Sequence, residues 1–216
     1  ELSFSNLFKL NKINNIDEVD TGSSLSLGFD YKIKSLDGNK RVKGEKFNFS
    51  LGQVISAEEN PDLPSKSTLN ENFSDILGNI SFNFNENAKI SRNFKIDQNL
   101  NELNQSQIGL DITYPITNFN INYLEERKHI GDQKYVEAKA GLNFDKTKMS
   151  FSGKRNLLTN SAEFYDLTYE YLNDCLKAGI AFRREFYRDR DLEPEDTLMF
   201  KITFFPLGTI SSPSFN

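Results

Sequence analysis

Side chains along this chain alternate with a period of two, in one run after another. Leu25, Leu27, Phe29, Tyr31 and Ile33 fall on one side of an extended backbone, with Ser24, Ser26, Gly28, Asp30 and Lys32 on the other. Phe47, Phe49, Leu51 and Ile55 alternate with Asn48, Ser50 and Gly52, and Ile76, Ile80, Phe82 and Phe84 with Asn79, Ser81 and Asn83. Ile90, Phe94 and Ile96 alternate with Lys89, Ser91, Asn93 and Lys95, and Ile108, Leu110, Ile112 and Tyr114 with Gln107, Gly109, Asp111 and Thr113. Phe119, Ile121 and Tyr123 follow, then Val136, Ala138, Ala140, Leu142 and Phe144, then Met149 and Phe151. Tyr165, Leu167, Tyr169 and Tyr171 come next, then Leu176, Ala178, Ile180 and Phe182, and last Leu198, Phe200, Ile202 and Phe204. A strand turns successive side chains to opposite faces, so every run carries one greasy face and one polar face. No run of helical period competes.

The pattern predicts about eleven antiparallel strands of roughly 9 to 14 residues, longer than the usual strand of about five or six. About ten residues is what a tilted strand needs to cross a bilayer. Connections alternate too. Asp37-Gly38-Asn39, Asn85-Glu86-Asn87, Pro115-Ile116-Thr117, Asp145-Lys146-Thr147 and Asn173-Asp174 read as tight turns. The stretches 57–74, 98–103, 126–133, 156–161 and 188–196 are mostly longer. Tight turns on one rim and longer loops on the other is how outer-membrane barrels are built, with the tight turns on the periplasmic side. Residues 1–22 then read as a loop leading into the barrel, 23–208 as strands with a long loop at 57–74, and 209–216 as a tail.

Two architectures share this alternation. A soluble secreted β-sandwich or a lipocalin-like barrel would turn the Phe and Tyr inward as a core. A transmembrane barrel would turn them to lipid and line a wet lumen with the polar face. The length and succession of the runs favour the membrane, as do the small polar residues of the second face. So do the aromatics near run ends (Tyr31, Phe84, Tyr114, Tyr123, Phe144, Tyr171, Phe182), where an interfacial girdle belongs.

Composition sharpens this. The chain has 216 residues, 26 Lys+Arg and 31 Asp+Glu, giving a net charge of −5, with no basic block to suggest nucleic acid. Mean hydropathy is −0.57, yet there are 19 Phe and 8 Tyr, and no apolar stretch approaches a membrane helix. Amphipathic strands average to a low value, so a negative mean is compatible with a membrane barrel. One Cys and one His rule out a disulfide scaffold within the chain and a Cys- or His-rich metal centre. No phosphate loop or dinucleotide glycine pattern occurs, and no cofactor is implied. The chain opens Glu1-Leu2-Ser3 with no secretory leader, and an odd strand count does not suit a complete bacterial barrel. Both suggest the C-terminal fragment of a larger barrel.

Candidate chemistry is sparse. Lys89, Lys95, Asp111, Lys139, Lys154, Lys177 and Lys201, with Asp30 and Lys32, are the charged polar-face positions. They could attract anionic groups over a distance, or simply keep a barrel interior wet. His129 beside Glu125, Glu126, Arg127 and Lys128 reads as a solvated loop residue, because a catalytic role needs a nucleophile and an orienting acid. Glu125-Glu126 and the run Asp189, Asp191, Glu193, Glu195, Asp196 could gather divalent cations, although solvated loops look the same.

Several stretches resemble the C-terminal region of the LptD family of outer-membrane lipopolysaccharide-assembly proteins, in its α-proteobacterial form. They are Asp174-Cys175 with 176–182, Arg184-Glu185-Phe186, Asp189-Arg190-Asp191-Leu192-Glu193-Pro194, and the closing Phe200-Lys201-Ile202 and Leu207-Gly208. Upstream, Leu7-Phe8, Asn15-Ile16-Asp17-Glu18-Val19, Gly22, Gly52-Gln53 and Ser74-Asp75-Ile76-Leu77-Gly78 also fit. The resemblance implies a non-enzymatic barrel that inserts lipopolysaccharide into the outer leaflet of the bacterial outer membrane. It implies an LptE-like plug lipoprotein in the lumen and a periplasmic Lpt bridge reached through an N-terminal domain absent from this chain. It implies a lateral gate between first and last strands, one wall of it formed here by Thr197, Met199, Lys201, Thr203, Phe205 and Pro206. Pro206 removes a ladder donor there, which would weaken pairing or simply end the strand. Family members often pair cysteines near Cys175 with cysteines of the N-terminal region, so Cys175 is a disulfide candidate. A passive outer-membrane porin is the alternative from the residues alone.

Overall fold

In a computed structural model the chain is all-β. The structure describes residues 2–9, 11–12, 22–36, 38–39, 41–63, 68–127, 132–186, 195–205 and 208–211. The strands are β1 (Ser24–Leu36), β2 (Val42–Ser56), β3 (Ile76–Asn85), β4 (Ala88–Ile96), β5 (Leu103–Thr113) and β6 (Thr117–Glu126). They continue as β7 (Gln133–Asn143), β8 (Thr147–Asn156), β9 (Ser161–Leu172), β10 (Leu176–Glu185), β11 (Glu195–Phe204) and β12 (Gly208–Ser211). All twelve lie in one sheet in sequence order, each hydrogen-bonded to the next. No helix is present among the described residues, and none is long and apolar enough to cross a membrane, which says nothing of spanning strands.

This settles two expectations. A sandwich needs two sheets packed face to face, whereas these strands form one meander, so the soluble sandwich is set aside. Twelve strands are present among the described residues, because Gly208–Ser211, of which 209–211 was expected as tail, pairs with β11 from Phe204↔Gly208 to Lys201↔Ser211. The run is too short and polar to show alternation. With twelve strands the odd-count argument for a fragment falls.

The registers confirm that the two faces stay sorted across neighbours, since residues directly opposite share a face. Ile33↔Phe47, Phe47↔Phe82 and Phe82↔Ile90 carry one apolar row across β1 to β4. Ala140↔Phe151, Phe151↔Leu167, Leu167↔Phe182 and Phe182↔Leu198 carry another across β7 to β11. These rows are largely solvent-exposed: Phe29 is 57% exposed, Leu167 46% and Phe200 41%. So many exposed aromatic and branched side chains in continuous rows are a surface made for an apolar surrounding.

The chain divides into two compact units, Glu1–Gly109 with Leu124–Gln133, and Leu110–Tyr123 with Lys134–Asn216. In the second unit the tight turns share one closure: Tyr114, Phe144 and Asn173 donate their N–H to the carbonyls of Thr117, Thr147 and Leu176 at 2.7–2.8 Å. Successive turns are also tied, Asn143 N–H to the Ile116 carbonyl, Leu172 to Lys146 and Phe205 to Cys175, at 2.7–2.9 Å.

Candidate functional site on the polar face

In the first unit the polar face is covered. The row Gly28↔Gly52↔Leu77↔Lys95 crosses β1 to β4, and its two glycines recess the sheet. A strap of residues 2–9 fills the recess, with 11–12 beside it. A Cβ on Gly52 would lie 2.2 Å from Leu7 Cδ2, and one on Gly28 would lie 2.5 Å from Phe8 Cζ, so only glycine allows this approach. Ser26 Oγ donates to the Leu7 carbonyl at 2.8 Å, and Lys12 Nζ to Ser24 Oγ at 3.1 Å. Asn6, buried, holds the strap's own fold by accepting from Ser3 N–H at 2.7 Å and donating to the Lys12 carbonyl at 3.1 Å.

Leu2 and Leu7 then pack with Val54 of β2, Leu77 of β3, and Leu63 and Leu69 of the β2–β3 connection, with Phe4 against them. This is the hydrophobic cluster of the described chain, and it lies where the alternation places polar residues. Polar groups seal its margin. Ser74 Oγ accepts from Val54 N–H at 2.9 Å, Thr68 Oγ1 accepts from Asp75 N–H at 3.1 Å, and Asn104 Nδ2 donates to Asp75 Oδ2 at 2.9 Å. Thr68 holds a left-handed backbone at φ 57°, a strained setting for a β-branched residue. Beside the strap remains a groove of about 630 Å³, lined by Phe4, Asp30, Lys32, Asn79, Lys95 and Gln107 among others. In it Lys32 pairs with Asp30 at 2.9 Å and Ser50 Oγ donates to Asp30 at 2.8 Å.

In the second unit the same face is open and ionic. Lys139 pairs with Glu137 at 2.8 Å, Lys154 with Glu163 at 2.7 Å, and Lys177 with Glu170 at 2.8 Å. Arg183 meets Asp166 at 3.4 Å and Glu185 at 2.6 Å. Asn120 donates to Asp111, and Ser152 to Asp166 at 3.2 Å. Lys154 lies over the Tyr135 ring at 4.2 Å and Arg183 over Phe164 at 5.1 Å. A groove of about 650 Å³ runs among Asp111, Asn120, Lys139, Ser152, Asp166 and Arg183.

The structure therefore places Lys89 and Lys95 on one polar face with Asn83 and Leu77 opposite them. It places Lys139, Lys154, Lys177 and Lys201 on the polar face of the second unit by register, with Asp111 among them in the groove. Thr197, Met199, Lys201 and Thr203 share that face along β11. β12 pairs only with Lys201–Phe204, so the half of β11 from Glu195 to Phe200 has no strand partner on that side among the described residues. Thr203 and Thr209 join their hydroxyls at 2.9 Å. Cys175 is exposed and free, and its N–H donates to Asn173 Oδ1 at 3.0 Å. At the rim beyond β6, Glu125 accepts from Arg127 at 3.0 Å. That hydrogen bond, and then the carboxylate's charge, raise the pKa of the guanidinium. His129, Asp189, Asp191, Glu193 and Pro206 lie outside the described residues.

Sequence reading missed the strap and the carboxylate partners. Val54 and Leu77 were the available signal for the strap, being large apolar residues at polar-face positions next to two glycines. For the partners it was Glu137, Asp166 and Glu170, which fall at polar-face parity on β7 and β9, whereas Glu163 sits at a register shift between β8 and β9 and had no such signal.

The family model for LptD, LPS transport system D, matches residues 1–161. The chain belongs to the LptD family. That makes it part of an outer-membrane β-barrel family of lipopolysaccharide transport and assembly, a transport family rather than an enzyme family. No curated protein matches the chain. The family match covers the strap, the glycine recess and β1 to β8, and stops before the 174–208 stretch that carries the strongest sequence resemblance.

Proposed function

We propose that this chain is the C-terminal part of an LptD barrel wall that delivers lipopolysaccharide to the outer leaflet, its polar face lining the lumen. The observation that carries this is the division of one sheet into an apolar exposed face and a face of paired charges and amides. Phosphorylated sugars suit the second face, where Lys139, Lys154, Lys177 and Arg183 hold fixed cations that a polyanion can exchange among. The half-paired β11 supports its role as one wall of a lateral gate, because strand pairing there has little to break. In this reading Lys89, Lys95 and Asp111 also line the lumen, Thr197, Met199, Lys201, Thr203 and Phe205 belong to the gate strand, and Cys175 bridges to an N-terminal region of the full-length protein. An LptE-like lipoprotein and the periplasmic bridge complete the machine.

Photo-crosslinking in cells tests this on the full-length protein. A benzophenone side chain at Lys139 or Lys201 captures lipopolysaccharide, and the adduct fades when supply from the inner membrane is stopped. Solute leakage with no such adduct would make the chain a passive channel instead.

A further inference from the structure

The apolar face of the second unit ends at one rim in a row of different chemistry. Ala138↔Gly153, Gly153↔Tyr165, Tyr165↔Arg184 and Arg184↔Asp196 are directly opposite one another across β7 to β11. The next row toward the tight turns is Ala140, Phe151, Leu167, Phe182 and Leu198, and the one after it Leu142, Met149, Tyr169, Ile180 and Phe200. Neither contains a charge. The Arg184 row therefore marks where the apolar band stops, on the side of the longer connections.

Around it the structure builds a platform. Tyr165 lies over Gly153, its Cδ1 where a Cβ would come within 2.8 Å. It stacks on Phe151 at 6.2 Å and meets Phe186 edge-on at 5.4 Å. Arg184 sits over Phe186 at 5.2 Å. Asp196 meets its Nε at 3.4 Å, which orients the guanidinium while its two amino groups have no partner among the described residues. Arg155, one step nearer the rim on β8 and opposite Val136, is steadied by Asn160 Oδ1 at 2.7 Å. Two exposed arginines at the edge of an uncharged aromatic band match a lipid whose phosphates sit at the headgroup level and whose chains lie along the band. The row ends on β11, whose half from Glu195 to Phe200 has no strand partner on its far side among the described residues.

We propose that Arg155 and Arg184, on the Tyr165–Phe186 platform, form an outer-wall site for the phosphates of a bis-phosphorylated glycolipid leaving the barrel at the β11 edge. This rests on the lipopolysaccharide-delivery reading. The site receives the headgroup as it clears the gate and holds its chains against Leu167 and Phe182.

The full-length protein in phosphatidylcholine nanodiscs, with a benzophenone side chain at Leu167, provides the test. Bis-phosphorylated lipid A should give more adduct than its phosphate-free counterpart, with about fivefold lost for each arginine removed. R155Q/R184Q should equalise the two lipids, and R155K/R184K should retain most of the preference. Equal adducts in the unaltered protein, or a preference that survives R155Q/R184Q, overturns the site. So does equal competition by phosphatidylglycerol or inorganic phosphate, since the site would then read phosphate alone. Any of these with lumen adducts intact at Lys139 sinks only the outer-wall site; loss of the Lys139 adduct sinks the delivery reading itself.

Discussion

The polar faces of the two units are made from the same alternating strands and end up as opposites. In the first, glycine at positions 28 and 52 and apolar residues at 54 and 77 turn a wet surface into a seat, and residues 2–9 occupy it. Among the described residues every buried side chain belongs to that unit. In the second, bulky charged side chains find partners along their own strand or on the neighbouring one and keep the face open. A few residues of one parity thus decide whether the polar face of a unit is covered or open, while the apolar, exposed parity remains alike.

The sharpest way to break the contrast is to charge the seat. Leu7→Asp places a carboxylate in the apolar cluster and should cost about 3–5 kcal/mol. Lower thermal stability in detergent and fast proteolysis within residues 2–12 would register it. A carboxylate at Ser150, on the open face, should leave the melting curve close to the parent's.

Gly52→Val comes next, at about 1–3 kcal/mol. Its side chain would collide with Leu7 Cδ2 and press on the Leu27 carbonyl at 3.1 Å. Gly179→Ala is the partner measurement, since the added methyl would make ordinary contact with Glu170 Cγ at 3.5 Å. Equal shifts for the two would show that the strap does not occupy the recess.

Asn104→Leu removes a buried donor from Asp75 and should cost about 1–3 kcal/mol, whereas Lys154→Gln, at a part-exposed pair, should cost at most about 1 kcal/mol. Denaturant titrations of the two variants compare them directly. Smallest is the response to salt. Raising ionic strength should loosen amide exchange protection around Lys139, Lys154 and Lys177 and leave the strap unchanged, because apolar contacts and hydrogen bonds hold the strap whereas exposed ion pairs are screened.

Most of the fold was legible because period two is a local property: Leu25 to Ile33 or Tyr165 to Tyr171 declare a two-faced strand with no reference to the rest of the chain. β12 was not, since Gly208–Ser211 is ordered by its ladder with β11 rather than by its own pattern. The polar-face lysines were found by parity, but the partners of Lys154 and Lys177 depend on register, and register is a property of two strands at once. The strap was hidden most deeply. Leu7 and Phe8 look like a loop's stray apolar residues until Gly28 and Gly52 are opposite each other, which requires β1 and β2 to be paired.

The bonds that tie each tight turn to the next, from Ile116 through Lys146 to Cys175, have a kinetic meaning. Every hairpin of the second unit offers a carbonyl that the following one must meet, so a new hairpin docks in only one alignment on the one before it. Because strand neighbours are also sequence neighbours, ordering costs little loop entropy. The wall can therefore be zipped together hairpin by hairpin in chain order, each finished turn acting as the jig for its successor.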